Sequence, residues 1–116
     1  MMLVNALAVD DLLALYDEDA VLLPTFSEDF LANKKGIRGY FEKLCAQGEI
    51  EVSLNEGSLL ERTLVDGLHS ISGIYRWRLG GDEETVVIEA RFTFVMDLNR
   101  SSPILHHHSS QLPHKP

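Results

Sequence analysis

The chain has 116 residues, 45% of them hydrophobic, which supplies one compact core and makes a single domain spanning 1–116 the expectation. Acidic residues outnumber Lys and Arg by 18 to 10, and the formal charge of −8 repels phosphate backbones and anionic membrane surfaces, so no nucleic-acid partner is expected. The one cysteine, Cys45, excludes an intrachain disulfide and a cysteine-built zinc or iron–sulfur centre.

The opening residues carry no basic region, and their apolar run stops at Asp10 and Asp11, too early for a secretory signal. No stretch approaches the roughly 20 apolar residues that cross a bilayer, so the sequence predicts a soluble, cytoplasmic protein without a membrane partner. Asp10 or Asp11 caps a short helix with Leu12, Leu13, Leu15 and Tyr16 on its apolar positions, ending near Asp17–Asp19. Ala20–Leu23 then reads as a short buried strand stopped by Pro24. After a loop over Ser27–Asn33, Ile37, Tyr40, Phe41 and Leu44 recur at i, i+3, i+4 and i+7 and mark a second helix. Gly36 and Gly39 weaken that helix by about 1 kcal/mol each, so burial of its aromatic face must hold it.

Beyond Gly48 the period becomes two. Ile50, Val52 and Leu54 alternate with Glu51, Ser53 and Asn55, and a separate strand follows over Leu59–Val65. A long strand then carries His69, Ile71, Gly73, Tyr75, Trp77 and Leu79 on one side and Arg76 and Arg78 on the other. Gly80-Gly81-Asp82 suits a hairpin connection to a return strand with Val86, Ile88, Ala90, Phe92, Phe94 and Met96 on one face. Ile104–Ser110 forms a last strand before a polar tail. Two helices followed by closely spaced strands predict an α+β fold with a strongly curved antiparallel sheet.

Four stretches in this order resemble the nuclear-transport-factor-2-like (SnoaL-like) superfamily, in particular bacterial relatives of the calcium/calmodulin-dependent kinase II association domain. They are Leu12–Thr25, Gly36–Phe41, Glu89–Val95 and Ile104–Pro113, the last with its His106-His107-His108-Ser109-Ser110 run. The resemblance implies a cone-shaped fold, with helices packed into the concavity of a curved antiparallel sheet, a pocket between them, and the sheet's other surface available for homodimers or higher oligomers. It also implies a long first helix before Asp10, of which at most Asn5–Val9 are present, and a tryptophan before the last strand, where this chain has Ser102-Pro103-Ile104.

Arg91 interrupts an apolar strand, and a buried arginine demands a carboxylate or several acceptors. The resemblance places a pocket arginine there, so Arg91 is read as an ion pair with Glu89, as the binder of a small organic anion, or as an electrostatic catalyst. Arg76 matches a second pocket arginine and would complete a carboxylate clamp, against the alternative of an exposed strand residue. His106 and His108 project to one side of a regular strand and His107 to the other. That pair is read as ligand-binding, acid–base or packing, without the full donor set of a metal site. Ser109 and Ser110 lie beside the histidines without an acyl-transfer constellation, and Asp17-Glu18-Asp19 lacks the oxygen spacing of a calcium loop. Tyr40 and Tyr75, with Tyr16, Phe41 and Trp77, line either a pocket or the core.

The sequence therefore predicts a homo-oligomeric assembly domain with a small-anion pocket, without cofactor or metal. The alternative is a small isomerase, dehydratase or hydrolase in which a pocket histidine moves a proton and Arg91 stabilises developing negative charge.

Overall fold

The computed structural model describes residues 9–46, 49–80 and 85–113. The expectations for the segment before Val9, for the Gly81-Asp82 connection and for the end of the tail lie outside the described residues. Among the described residues two helices and five strands follow one another as α1 (Val9–Ala14), β1 (Tyr16–Leu23), α2 (Lys34–Cys45), β2 (Glu49–Val65), β3 (Leu68–Gly80), β4 (Thr85–Asp97) and β5 (Ile104–Gln111).

Helix α1 is shorter than its pattern suggests. Tyr16–Asp19, read as the helix end, already belong to β1, because Tyr16 pairs with Ile104 and the Ile104 N–H donates to the Leu15 carbonyl. Helix α2 follows its periodicity. The Asn33 side chain caps it by accepting from Gly36 N at 2.8 Å, and Ile37, Phe41 and Leu44 are buried along one stripe. Ion pairs of Arg38 with Asp10 at 2.9 Å and of Arg100 with Asp17 at 2.8 Å tie α1 and β1 to their neighbours at the surface.

The strands pair in the order β1-β5-β4-β3-β2. This overturns the expected cone with a curved, all-antiparallel sheet. The sheet is mixed, because β1 runs parallel to β5, and it stays open, with β1 and β2 as edges that do not meet; it is neither closed nor strongly curled. The pairs β2–β3, β3–β4 and β4–β5 are antiparallel, whereas the first strand reaches the last only after the whole chain has crossed over, which permits a parallel pairing.

β2 is one strand rather than two. Its register slips between Asn55 and Leu60, where Ser58 Oγ donates to the Asn55 carbonyl at 2.6 Å and accepts from Ile74 N at 2.8 Å. The hydroxyl thus keeps the bulged strand attached to β3. At the β2–β3 turn Gly67 adopts a φ of 79°, a left-handed conformation costly for any residue with a Cβ.

The core lies between the helices and one sheet face. It joins Leu12, Leu13, Ile37, Phe41 and Leu44 of the helices to Tyr75, Trp77, Ala90 and Phe92 of the central strands and Leu22 of β1. Among the described residues no helix is long and apolar enough to cross a membrane.

Candidate functional site

The sheet face that meets the helices does not fill the space between them. A cavity of about 500 Å³ remains, within the range of small-molecule sites. Tyr75, Trp77 and Phe92 form its sheet wall, Tyr40 and Phe41 its helical wall, and Leu15, Leu54 and Leu59, each partly exposed, border it as well. Gly73 helps to shape it. A Cβ there would lie 2.9 Å from Leu59 Cδ2 and 3.0 Å from Phe92 Cζ, so the bare glycine lets the ends of both side chains close over the strand without shifting.

Strand alternation carries Tyr75, Trp77 and Phe92 to this face and Arg76 and Arg91 to the other. Arg76 is exposed and faces Glu89 across the β3–β4 pair, with Nη2 4.0 Å from its carboxylate. Arg91 is also exposed, opposite Ile74 and Ser110, and makes no ion pair with Glu89 among the described residues.

The histidines are sorted by a bulge. Met96 pairs with Ile104 and Val95 with His106, so Leu105 is an extra residue in β5. Ile104 is buried at the start of the strand, and regular alternation from it would turn His106 and His108 inward. The extra residue reverses the faces, which leaves His107 and Ser109 buried and His108 exposed. Of the six site residues expected from sequence, Tyr40 and Tyr75 border the cavity, and Arg76, Arg91, His106 and His108 do not.

His107 is the centre of a buried polar chain on the cavity wall. The Tyr16 hydroxyl lies 2.9 Å from His107 Nδ1, and the Tyr75 hydroxyl lies 3.3 Å from Nε2. Tyr75 donates to Ser109 Oγ at 2.5 Å, and Ser109 is hydrogen-bonded to Thr25 Oγ1. Since the one Tyr75 proton is spent on Ser109, its oxygen accepts from His107 Nε2–H, and bare Nδ1 accepts from Tyr16. A neutral imidazole of one tautomer satisfies every bond. Phe94 stacks on that imidazole, with ring centroids 4.0 Å apart.

Burial is the chief cause of the shifts at His107 and at the tyrosines Tyr16, Tyr40 and Tyr75. It lowers the His107 pKa to about 3, with smaller contributions from His106 and His108. It raises Tyr16, Tyr40 and Tyr75 above the ordinary phenol value; for Tyr75, the polar groups of Ser109, Thr25 and Trp77 beside it oppose the rise. The indole N–H of Trp77 nevertheless meets no partner with hydrogen-bond geometry among the described residues. Among the described residues no Lys, Arg, Asp or Glu borders the cavity, and no cluster of three or more metal-binding side chains occurs.

His107, Ser109 and Thr25 were not singled out as site residues from sequence. The Leu105 bulge hid the first two, and Thr25 is distant in the chain from the strand it bonds.

Neither a family model nor a curated protein matches the chain. Solved structures do, and they define the class: the chain has the nuclear-transport-factor-2-like, SnoaL-like α+β fold. Within that class it is similar to a Xanthomonas campestris protein assigned as a calcium/calmodulin-dependent protein kinase II association domain, with 28% identity and a TM-score of 0.85 over 98% of this chain and 81% of that one. A nuclear-transport-factor-2-like protein of unknown function from Pseudomonas putida superposes with a TM-score of 0.79 at 18% identity, covering 98% of this chain and 79% of that one. The β subunit of benzoate 1,2-dioxygenase from Burkholderia mallei does so with a TM-score of 0.78 at 15% identity, covering 96% and 82%. At these two lower identities the likeness concerns the fold alone.

Proposed function

We propose that this chain binds a neutral, largely apolar small molecule of aromatic or alicyclic build in the cavity between sheet and helices. The observation that carries this reading is a cavity wall of aromatic and aliphatic side chains, free of formal charge among the described residues, whose polar groups at Tyr16, His107, Tyr75, Ser109 and Thr25 form a hydrogen-bonded chain that is neutral at neutral pH. A carboxylate placed there would lose its hydration without gaining a cation, a cost of several kcal/mol. Arg76 and Arg91, the arginines expected from sequence to hold an anion, lie on the opposite face.

The same chemistry favours binding over proton transfer. An effective acid or base titrates near the working pH, and here burial drives His107 far below it and Tyr16 far above it.

Trp77 is the only tryptophan in the sequence and borders the cavity, so its emission reports occupancy. Titration with a neutral bicyclic ketone is expected to change Trp77 fluorescence saturably. A linear, non-saturating response across the solubility range would refute the reading.

Self-association is the second reading, and the outer sheet face supports it. Leu60 is 74% and Val87 49% exposed there, beside the Arg76–Glu89 pair. The Xanthomonas protein's assignment as an association domain points the same way. Sedimentation of the wild type is expected to give a dimer or larger species that Val87→Glu weakens; a wild-type monomer at high concentration would contradict it.

A further inference from the structure

A second cavity, of about 360 Å³, lies between α2 and the loop that follows β1. Phe26, Asp29, Gly36, Gly39 and Lys43 border it, so unlike the first cavity it carries charge. Tyr40 borders both. Its chain neighbours and loop partners divide between the two sides: Phe41 and Thr25 border the aromatic cavity, Lys43 and Phe26 the other. The phenol ring stands against Phe41 at a centroid distance of 5.3 Å, and its oxygen is hydrogen-bonded by the backbone N–H of Phe26. Gly39 adds to the room beyond it, since a Cβ there would meet nothing within 4 Å.

We infer that Tyr40 is a partition that sets the length of the ligand, closing the aromatic cavity against the second one so that compact ring compounds fit and tailed ones do not. The inference rests on the neutral-ligand reading of the aromatic cavity and adds the dimension that selects among neutral ligands. Removing the ring joins the two spaces, and an alkyl tail attached to a bound ring system gains a channel past Gly39. A charged tail end would then meet Lys43 or Asp29, whereas an alkyl tail probes length alone.

The test is a calorimetric series with a bicyclic aromatic ketone bearing no tail, a methyl, a propyl or a hexyl chain, measured on wild type, Tyr40→Phe, Tyr40→Leu and Tyr40→Ala. Wild type and Tyr40→Phe, which keeps the ring, are expected to bind the short-chain compounds and reject the hexyl compound. Tyr40→Ala is expected to bind the hexyl compound at least about tenfold more tightly than wild type does, since each buried methylene is worth a factor of about 4. Tyr40→Leu is expected to fall between them and covers the case in which Tyr40→Ala does not fold.

If the untailed ketone binds and all folded variants share one length limit, or if wild type takes the hexyl compound as well as the methyl one, the partition is overturned and the neutral cavity stands. If no member of the series binds wild type, the neutral-ligand reading falls and takes the partition with it.

Discussion

Replacing Tyr75 by alanine is expected to destabilise the protein by about 3–5 kcal/mol, the range for deleting a large ring from a packed interior. Tyr75 is 1% exposed and sits where the polar chain crosses the hydrophobic core. Its ring stacks on Phe92 with centroids 4.7 Å apart and meets Trp77 edge-on at 5.5 Å. Truncation enlarges a cavity that is already unfilled, and it strips His107 Nε2–H and Ser109 of a shared partner, each a buried polar group left without its bond. Tyr75→Phe keeps the ring and loses only the hydroxyl, for an expected cost of about 1–2 kcal/mol. Urea unfolding at pH 7 measures both. An alanine variant within about 1 kcal/mol of wild type would mean that Tyr75 does not anchor the sheet wall.

Acidification is expected to destabilise the protein well above the carboxylate range, and His107 is the cause. In the unfolded chain the imidazole takes a proton near its ordinary value of 6.5, whereas the folded site resists protonation down to about 3. Its stability contribution is therefore full above pH 6.5 and is lost as pH falls towards 3, because the unfolded state binds the additional proton. The slope from one such group is about 1.4 kcal/mol per pH unit, or roughly 2 kcal/mol between pH 6.5 and 5. Asp17, whose pKa is lowered by the Asp19 backbone N–H and by Arg100, changes stability in the same direction only at lower pH. The window from 6.5 to 5 lies above the carboxylate range, and the difference between wild type and His107→Phe within it reads this histidine. His107→Phe should be less stable at pH 7, by about 1–3 kcal/mol for the orphaned Tyr16 hydroxyl, and distinctly flatter through that window. Parallel urea-midpoint profiles for variant and wild type would exclude His107 as the source.

What the sequence revealed and what it concealed divide along the range of the interactions. The period-two runs placed Tyr75, Trp77 and Phe92 on one face and Arg76 with Arg78 on the other, since alternation is a local property and β3 and β4 pair throughout without a slip. The aromatic stripe of α2 was equally legible, and with it Tyr40. The single extra residue at Leu105 left no mark in the composition of β5, yet it decides which histidine reaches the cavity. The parallel β1–β5 pairing joins residues about 90 positions apart, as in the Tyr16–His107 bond, and nothing local announces it. The expected cone failed for the same reason: sheet closure depends on which edges meet, and edge pairing is not written in any one segment. The resemblance read from Leu12–Thr25 and Ile104–Pro113 nevertheless identified the right class, and the two strands that pair in parallel both lie within those stretches.

The central claim, that the aromatic cavity takes a neutral molecule, is tested most directly by titrating Trp77 fluorescence with a bicyclic aromatic ketone and with the matching carboxylate, on wild type and on Arg91→Ala. Saturable binding of the ketone, at least about tenfold weaker binding of the carboxylate, and indifference to Arg91→Ala are predicted, because Arg91 lies on the opposite sheet face. Tighter binding of the carboxylate, lost in Arg91→Ala, would contradict the account and return the ligand to the arginine face.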